Sequence, residues 1–303
     1  MSVLQELEEA IYRVAEQAGG AVVGIGRGSG RGSGVVLAQG KVATNAHNLR
    51  GEEVTVVFAD GRSATGRLEG VDLDADLAVV SVDTGGAQPL PWADDAATRL
   101  GTAVFALANP GGRRRVTVGF VSAVNRAFRG PRGRRITGSL EHTAPLGRGS
   151  SGGPVVDADG RLLGINTNRL GDGFYLAIPA DGELRGRLDA LARGEAPARP
   201  RLGVGIAHAG VARRMRRAVG LPERDGLLVR AVEDGGPADR AGVRVGDLIV
   251  SAGSREVRDA DELHEVLDGV PADGTLLLAL VRGTEELTVT VAFGSEADRV
   301  GSV

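Results

Sequence analysis

Apolar positions recur along this chain with more than one rhythm, and the changes of rhythm mark its divisions. Over residues 2–18, Leu4, Leu7, Ile11, Val14 and Ala18 return every three or four positions, which predicts an amphipathic helix. Ser2 followed by Gln5 predicts a capping box at its start, and Gly19-Gly20 marks its end. Ala21 to Ile25 then reads as a strand. From there short β-branched runs alternate with Gly, Asp and Asn turns, at 35–38, 41–44, 53–58, 64–69, 77–82, 102–107 and 115–124. Further runs follow at 135–142, 154–157, 161–167 and 173–178. Many short strands with no useful helix between them predict barrel or sandwich packing.

The helical period returns at Glu183 to Arg193, where Leu184, Leu188 and Leu191 share a face. Residues 194–200, Gly-Glu-Ala-Pro-Ala-Arg-Pro, have a linker composition. Beyond them strands are expected at 202–207, 226–232, 247–250, 275–282 and 286–293. Two helices are expected among these strands, a short one from Pro237 and a longer one over 260–267 with Leu263, Val266 and Leu267 on one face. The chain therefore divides into an N-terminal helix (1–20), a β domain (21–182), a helix and linker (183–200), an α+β domain (201–294) and a loose tail (295–303).

Composition narrows the chemistry. A chain of 303 residues with 42% hydrophobic and 25% charged residues is long enough for two packed cores. A net charge of -3 and a pI near 5.9 give no general attraction to nucleic acid or to an anionic membrane. Cysteine is absent, which excludes disulfides and thiol catalysis. No apolar run approaches the roughly 20 residues that span a bilayer. Nor does a basic, then apolar, then small-residue leader open the chain, so it is expected to be cytoplasmic as written, the alternative being an extracytoplasmic protein whose leader was removed. The Gly-Arg run at 26–34 resembles a phosphate loop only superficially, because Gly34 leads into a strand and not into a helix; a hairpin is the expected structure. Arginines 113, 114, 115, 126, 129, 132, 134 and 135 fall in a span, 113–140, without an acidic residue. With only Phe120 and Phe128 among them they offer little stacking surface, and solvated barrel loops are the expectation in place of a nucleic-acid site.

The candidate chemistry centres on Gly147-Arg148-Gly149-Ser150-Ser151-Gly152-Gly153-Pro154. Glycines on both sides of Ser151 suit a nucleophile beside exposed amide donors. A serine needs a base held by a third group. Of four histidines, His47 is the strongest candidate because it directly follows a strand; His142, His208 and His264 are weaker. Asp76 opens the apolar run Leu77-Ala78-Val79-Val80 and could orient that base, with Asp72 and Asp74 as rivals. The order His47, Asp76, Ser151 is the chymotrypsin order.

With these residues in place, the chain resembles the HtrA (Deg) family of serine proteases. The resemblance rests on Gly32-Ser33-Gly34-Val35-Val36, Thr44-Asn45-Ala46-His47, Asp76-Leu77-Ala78-Val79, Ala108-Asn109-Pro110-Gly111, Val118-Gly119-Phe120-Val121-Ser122, Ser151-Gly152-Gly153-Pro154, Gly164-Ile165-Asn166-Thr167 and Leu176-Ala177-Ile178-Pro179. The second segment resembles a bacterial PDZ domain through Leu202-Gly203-Val204-Gly205, Gly236-Pro237-Ala238, Ala241-Gly242-Val243 and Gly246-Asp247-Leu248-Ile249. The resemblance implies a mainly β, trypsin-like double β-barrel over 21–182 and an α+β PDZ domain over 201–294.

It implies further that Ser151 is the nucleophile, His47 the base and Asp76 its partner, with the backbone of Gly149 and Ser151 as oxyanion hole. Neither cofactor nor metal is called for. Leu146 falls where the family lines its first specificity pocket, and no acid precedes the nucleophile closely, so cleavage after small aliphatic residues is expected. The PDZ segment would receive a peptide C-terminus at Leu202, Gly203 and Val204, opposite the 260–267 helix. Arg126 matches an arginine of the family's activation-sensing loop. Ser150 stands where the family has Asn, without consequence for main-chain donors, and Asn48 stands where it has an aliphatic residue, a change expected to affect local packing alone. The implied activity is endoproteolysis of unfolded or misfolded proteins by a homotrimer, the trimer formed through the 2–18 helix or Tyr12. The alternative is a PDZ-containing binding or chaperone protein whose protease site rests or is incompetent.

Overall fold

The computed structural model of the protein describes residues 2–26, 32–94, 98–129, 135–195 and 200–294. The chain forms two compact units, Met1–Pro197 and Ala198–Val303. The first opens with helix α1 (Val3–Gly19), where the Ser2 hydroxyl accepts from the Gln5 N–H and the Gln5 side chain accepts from the Ser2 N–H, as the capping box predicts. Val14 and Ala18 are buried against the barrels, but Leu4 and Leu7 are exposed, so nothing among the described residues of this unit covers the start of the predicted apolar face.

Six strands follow: β1 (Val22–Ile25), β2 (Gly32–Ala38), β3 (Lys41–Thr44), β4 (Glu53–Val57), β5 (Ser63–Asp72) and β6 (Leu77–Ser81). They close into a barrel in the order β1-β2-β3-β6-β5-β4. β1 and β2 pair antiparallel with Ile25 opposite Gly32, as the two arms of a hairpin do; residues 27–31 between them lie outside the described residues. A second barrel uses β7 (Ala103–Ala108), β8 (Arg115–Arg129), β9 (Arg135–His142), β10 (Pro154–Val156), β11 (Leu162–Gly171) and β12 (Phe174–Pro179), in the order β10-β11-β12-β9-β8-β7. Closure leaves neither barrel with a free edge, which suits strands this short and this rich in Val, Ala and Leu. Helix α2 (Gly182–Ala192) inserts Leu184, Leu188 and Leu191 into the core beneath β5 and β6, so it is part of the first unit's packing and not merely a connector.

Strand β8 runs past the predicted end at 124, so Arg126 sits in a strand and not in a loop. Pairing with β9 carries it there through register shifts on either side of Arg126, with Asn125 at φ +55° absorbing the irregularity.

The second unit is a sheet of β13 (Val204–Ala207), β14 (Leu227–Val232), β15 (Leu248–Ala252), β17 (Thr275–Arg282) and β18 (Glu285–Ala292) in that order, with the short β16 (Arg255–Glu256) beside β15. The predicted helices appear as α4 (Pro237–Arg240) and α5 (Ala260–Asp268), the latter capped by the Asp259 carboxylate. A further helix, α3 (Ala209–Ala218), was not expected from the apolar pattern. Ala, Arg and Met favour helix intrinsically, and its buried Arg216 donates to the carbonyls of Pro222 and Gly283. The predicted tail 295–303 and most of the linker, 196–199, lie outside the described residues.

Candidate active site

His47 lies in a single 3-10 turn, Ala46–Asn48, directly after β3. Asp76 occupies the turn leading into β6 at φ +57°, a left-handed conformation that Asp adopts more readily than most residues. Its main-chain carbonyl is held by the Asn45 side chain at 2.9 Å and by the Ala46 N–H at 3.2 Å. The Asp76 carboxylate is almost wholly buried, at 1% exposure for the residue, and it accepts three donors. These are the His47 N–H at 3.1 Å, the His47 ring Nδ1 at 2.8 and 2.9 Å to its two oxygens, and the Thr167 hydroxyl at 2.8 Å. A carboxylate can only accept, so Nδ1 carries the proton and Nε2 is left basic on the exposed side of the ring. The rival Asp72 is committed elsewhere: one oxygen accepts from the N–H groups of Asp74 and Ala75, and the other pairs with Arg187 at 3.4 Å. Asp74 is a half-buried turn residue between β5 and β6.

Ser151 lies in the turn between β9 and β10. Gly149 stands at φ +82° and Gly152 at φ +86°. A side chain at Gly152 would also place its Cβ 2.2 Å from the Ser33 carbonyl, so glycine is required twice over. The turn is tied down through Asn166 on β11. Its carbonyl accepts from the Gly152 N–H at 2.7 Å, and its own N–H and side-chain amide both donate to the Gly153 carbonyl, at 2.9 and 3.2 Å. Among the described residues, the N–H groups of Gly149 and Ser151 donate to no protein acceptor. They are thus a pair of amide donors flanking a serine hydroxyl. That hydroxyl donates to the Thr167 carbonyl at 3.2 Å and not to His47.

The sequence reading overlooked Thr167, whose hydroxyl meets Asp76 and whose carbonyl meets Ser151. Its motif Gly164-Ile165-Asn166-Thr167 was the only signal. Ser33 and Asn48 of the first barrel also reach the Ser151 turn, which corrects the expectation that Asn48 affects local packing alone. His142 is fully buried on β9, its Nε2 2.9 Å from the Asn166 side-chain oxygen and its ring stacked on Tyr175. Burial pushes its pKa below the ordinary histidine value, against a smaller opposing contribution from Asn166. His208 precedes α3 without a side-chain capping bond and His264 lies in α5, both in the other unit. Leu146 is half-buried against the core cluster of the second barrel that contains Val104, Leu140 and Ala177. Arg126 pairs with Glu141 at 3.1 Å, and Glu141 also accepts from Ser122.

In the second unit Leu202 is buried and Gly203 takes φ +74° just before β13, the edge strand of the sheet. The strand begins later than predicted because the carbonyls of Leu202 and Gly203 are taken by the N–H groups of Ala238 and Glu233. Among the described residues their own N–H groups have no protein acceptor. Val204 and Ile206 of β13 and Val266 of α5 all pack against the buried core of this unit, to which α5 contributes Leu263 and Leu267.

A family model of the trypsin-like peptidase domain matches residues 32–165, and one of the PDZ domain matches residues 228–282. Among curated proteins, the chain is 34% identical over 87% of its length to "Putative serine protease HhoA" of Synechocystis sp., covering 70% of that protein. It is 31% identical over 88% of its length to "Probable periplasmic serine endoprotease DegP-like" of Halomonas elongata, of which it spans 57%. Among solved structures, "HtrA-type protease AlgW with decapeptide" superposes with a TM-score of 0.70 at 25% identity, covering 94% of this chain and 98% of that one. A serine endoprotease from Yersinia pestis superposes with a TM-score of 0.66 at 26% identity, covering 93% of this chain and 96% of that one.

Proposed function

The chain belongs to the HtrA-type family of trypsin-like serine proteases, and on that premise we propose that it hydrolyses peptide bonds in unfolded or misfolded proteins through an acyl-enzyme on Ser151. The observation that carries this reading is the buried Asp76 carboxylate that fixes His47 with Nε2 free. In the reaction Ser151 Oγ leaves the Thr167 carbonyl and turns towards His47. Oγ then attacks the scissile carbonyl carbon while Nε2 takes its proton. The negative oxygen is received by the N–H groups of Gly149 and Ser151, each such donor being worth roughly 3 kcal/mol. The C–N bond breaks as His47 returns the proton to the departing amine, and water repeats the attack on the acyl-enzyme with His47 again as base. Leu146 is the proposed lining of the first specificity pocket, and its apolar side chain, half-buried against the second barrel's core, supports cleavage after Val, Ala, Ile or Leu. The test is casein cleavage by wild type and Ser151→Ala, with cut sites mapped. Cleavage after small aliphatic residues, absent in Ser151→Ala, is expected; cleavage persisting in Ser151→Ala would overturn the assignment.

A second reading has one observation in its favour. The Ser151 hydroxyl bonded to Thr167 suits a site that rests until a ligand engages the protein. The PDZ unit offers the means: among the described residues, the edge of β13 and the N–H groups of Leu202 and Gly203 have no partner, which suits a peptide C-terminus added as a strand. The decapeptide named with the AlgW structure supports peptide binding for this chain as well. Arg126 is the proposed relay between peptide occupancy and the Ser151 turn, and Arg126→Ala is then expected to lose peptide stimulation while retaining basal cleavage. A homotrimer is proposed through the exposed Leu4, Leu7 and Tyr12 of α1, to be checked by sedimentation of the wild type and Leu7→Ser. No described helix is long and apolar enough to cross a membrane, and the periplasmic names of the DegP-like relatives support action outside the cytoplasm.

A further inference from the structure

The nucleophile turn is held from the opposite barrel by side chains that the family resemblance did not assign. We propose that Ser33 and Asn48 are positioning residues for the oxyanion hole, a buried clamp that fixes the peptide groups on either side of its donors through their carbonyl oxygens. The inference rests on the reading of Ser151 as nucleophile. The Ser33 hydroxyl donates to the Gly149 carbonyl at 2.8 Å, and the Ser33 N–H donates to the Ser151 carbonyl at 2.8 Å. The Asn48 side-chain amide donates to the same Ser151 carbonyl at 3.0 Å. Every direction in this network is determined. The Asn109 N–H donates to Ser33 Oγ at 2.9 Å, which leaves that hydroxyl's one proton for Gly149. The Thr44 hydroxyl donates to the Ser33 carbonyl at 2.7 Å and therefore accepts from Asn48, at 3.0 Å.

Ser33 and Thr44 are fully buried and Asn48 is 2% exposed, so each lost bond would leave a buried polar group unpaired. The two glycines that a clamp of this kind needs are also present. A Cβ at Gly32 would lie 2.2 Å from the Asn48 side chain, and one at Gly152 would lie 2.6 Å from Thr44 Oγ1. The chemical logic is that a residue whose N–H must stay free for a developing oxyanion has its carbonyl as the one main-chain hydrogen-bonding group by which it can be held. Ser33 and Asn48 take the carbonyls of the two residues that supply those donors.

The test compares Ser33→Ala and Asn48→Val with Val80→Ala, a buried β6 variant whose strand partners are Val42 and Leu68. For each, the rate of fluorophosphonate labelling, kcat and KM on a fluorogenic peptide, and Tm are measured, the kinetics well below each Tm. Loss of about tenfold or more in kcat and labelling rate, with KM within about twofold, is expected for Ser33→Ala and Asn48→Val, while Val80→Ala keeps the wild-type rates despite a lower Tm. Wild-type rates in both clamp variants would overturn the proposal, and so would an equal loss in Val80→Ala, which would reduce the effect to stability. If Asn48→Val fails to fold, Ser33→Ala decides alone. A wild type that is not labelled at Ser151 would instead overturn the nucleophile assignment beneath it.

Discussion

The two barrels are closed six-stranded sheets, yet they hold their shares of the site in opposite ways. The first barrel fixes His47 and Asp76 largely from within: a 3-10 turn and a tight turn place them in contact, and their own hydrogen bonds complete the geometry. The second barrel carries Ser151 on a turn with glycines at 147, 149, 152 and 153, which has little side-chain material with which to hold itself. It is held from Asn166 on β11 and from Ser33 and Asn48 of the first barrel. A base can be oriented by filling its second nitrogen. An oxyanion hole has to keep its two donors empty, so the residues that supply them are held by their carbonyls and by the bonds of their neighbours in the turn.

The contrast is broken most severely at Asp76. Asp76→Asn would offer an amide donor to Nδ1, reverse the imidazole tautomer and leave Nε2 protonated. A fall of roughly 10³- to 10⁴-fold in kcat is expected, with KM little changed, in steady-state hydrolysis of a fluorogenic peptide. Thr167→Val sharpens the same comparison, because it removes one donor to the buried carboxylate and leaves the backbone carbonyl that receives Ser151. A hydrogen bond to a charged group contributes about 1.5–3 kcal/mol, which places the expected loss in kcat between about tenfold and about a hundredfold. Unchanged kcat in Thr167→Val would mean that the two His47 donors alone hold Asp76.

The sequence reached far into the fold because its signals were local. Val- and Ala-rich runs broken by glycine and aspartate located the strands of both barrels, and Ser2 with Gln5 located the start of α1. Where a neighbour decided the outcome, the reading failed. Strand β8 continues through Arg126 only because β9 pairs with it, and α3 forms around a buried arginine that no apolar period announces. The same division runs through the site. His47, Asp76 and Ser151 each sit in a short motif that carries its own meaning. Asn48 does not: the carbonyl it serves is 103 residues away, and a polar residue in an aliphatic position reads as a local packing change until that partner is known.

The smallest of these effects separates the two barrels by pH. His47 faces a carboxylate, whereas His142 meets an amide oxygen on one side and, on the other, has a buried Nδ1 with no hydrogen-bond partner among the described residues. The Asn166 amide donates to Gly153, which turns its oxygen towards His142 and makes Nε2 the donor. Protonation would therefore create a buried N–H with nothing to receive it, in keeping with the lowered pKa. With the folded value depressed below an ordinary 6.5 or so, the unfolded chain binds a proton that the folded chain does not, and stability rises with pH through that window. Its contribution is complete above the unfolded value and declines as pH falls from about 6.5 towards the folded one, by at most about 1.4 kcal/mol per pH unit. His142→Gln retains a donor for Asn166 and cannot titrate. Melting curves at pH 7.5 and 5 should show a smaller loss of Tm in His142→Gln than in wild type; equal losses would show that His142 accepts its proton in the folded state at no cost, and that the acid sensitivity lies with the carboxylates.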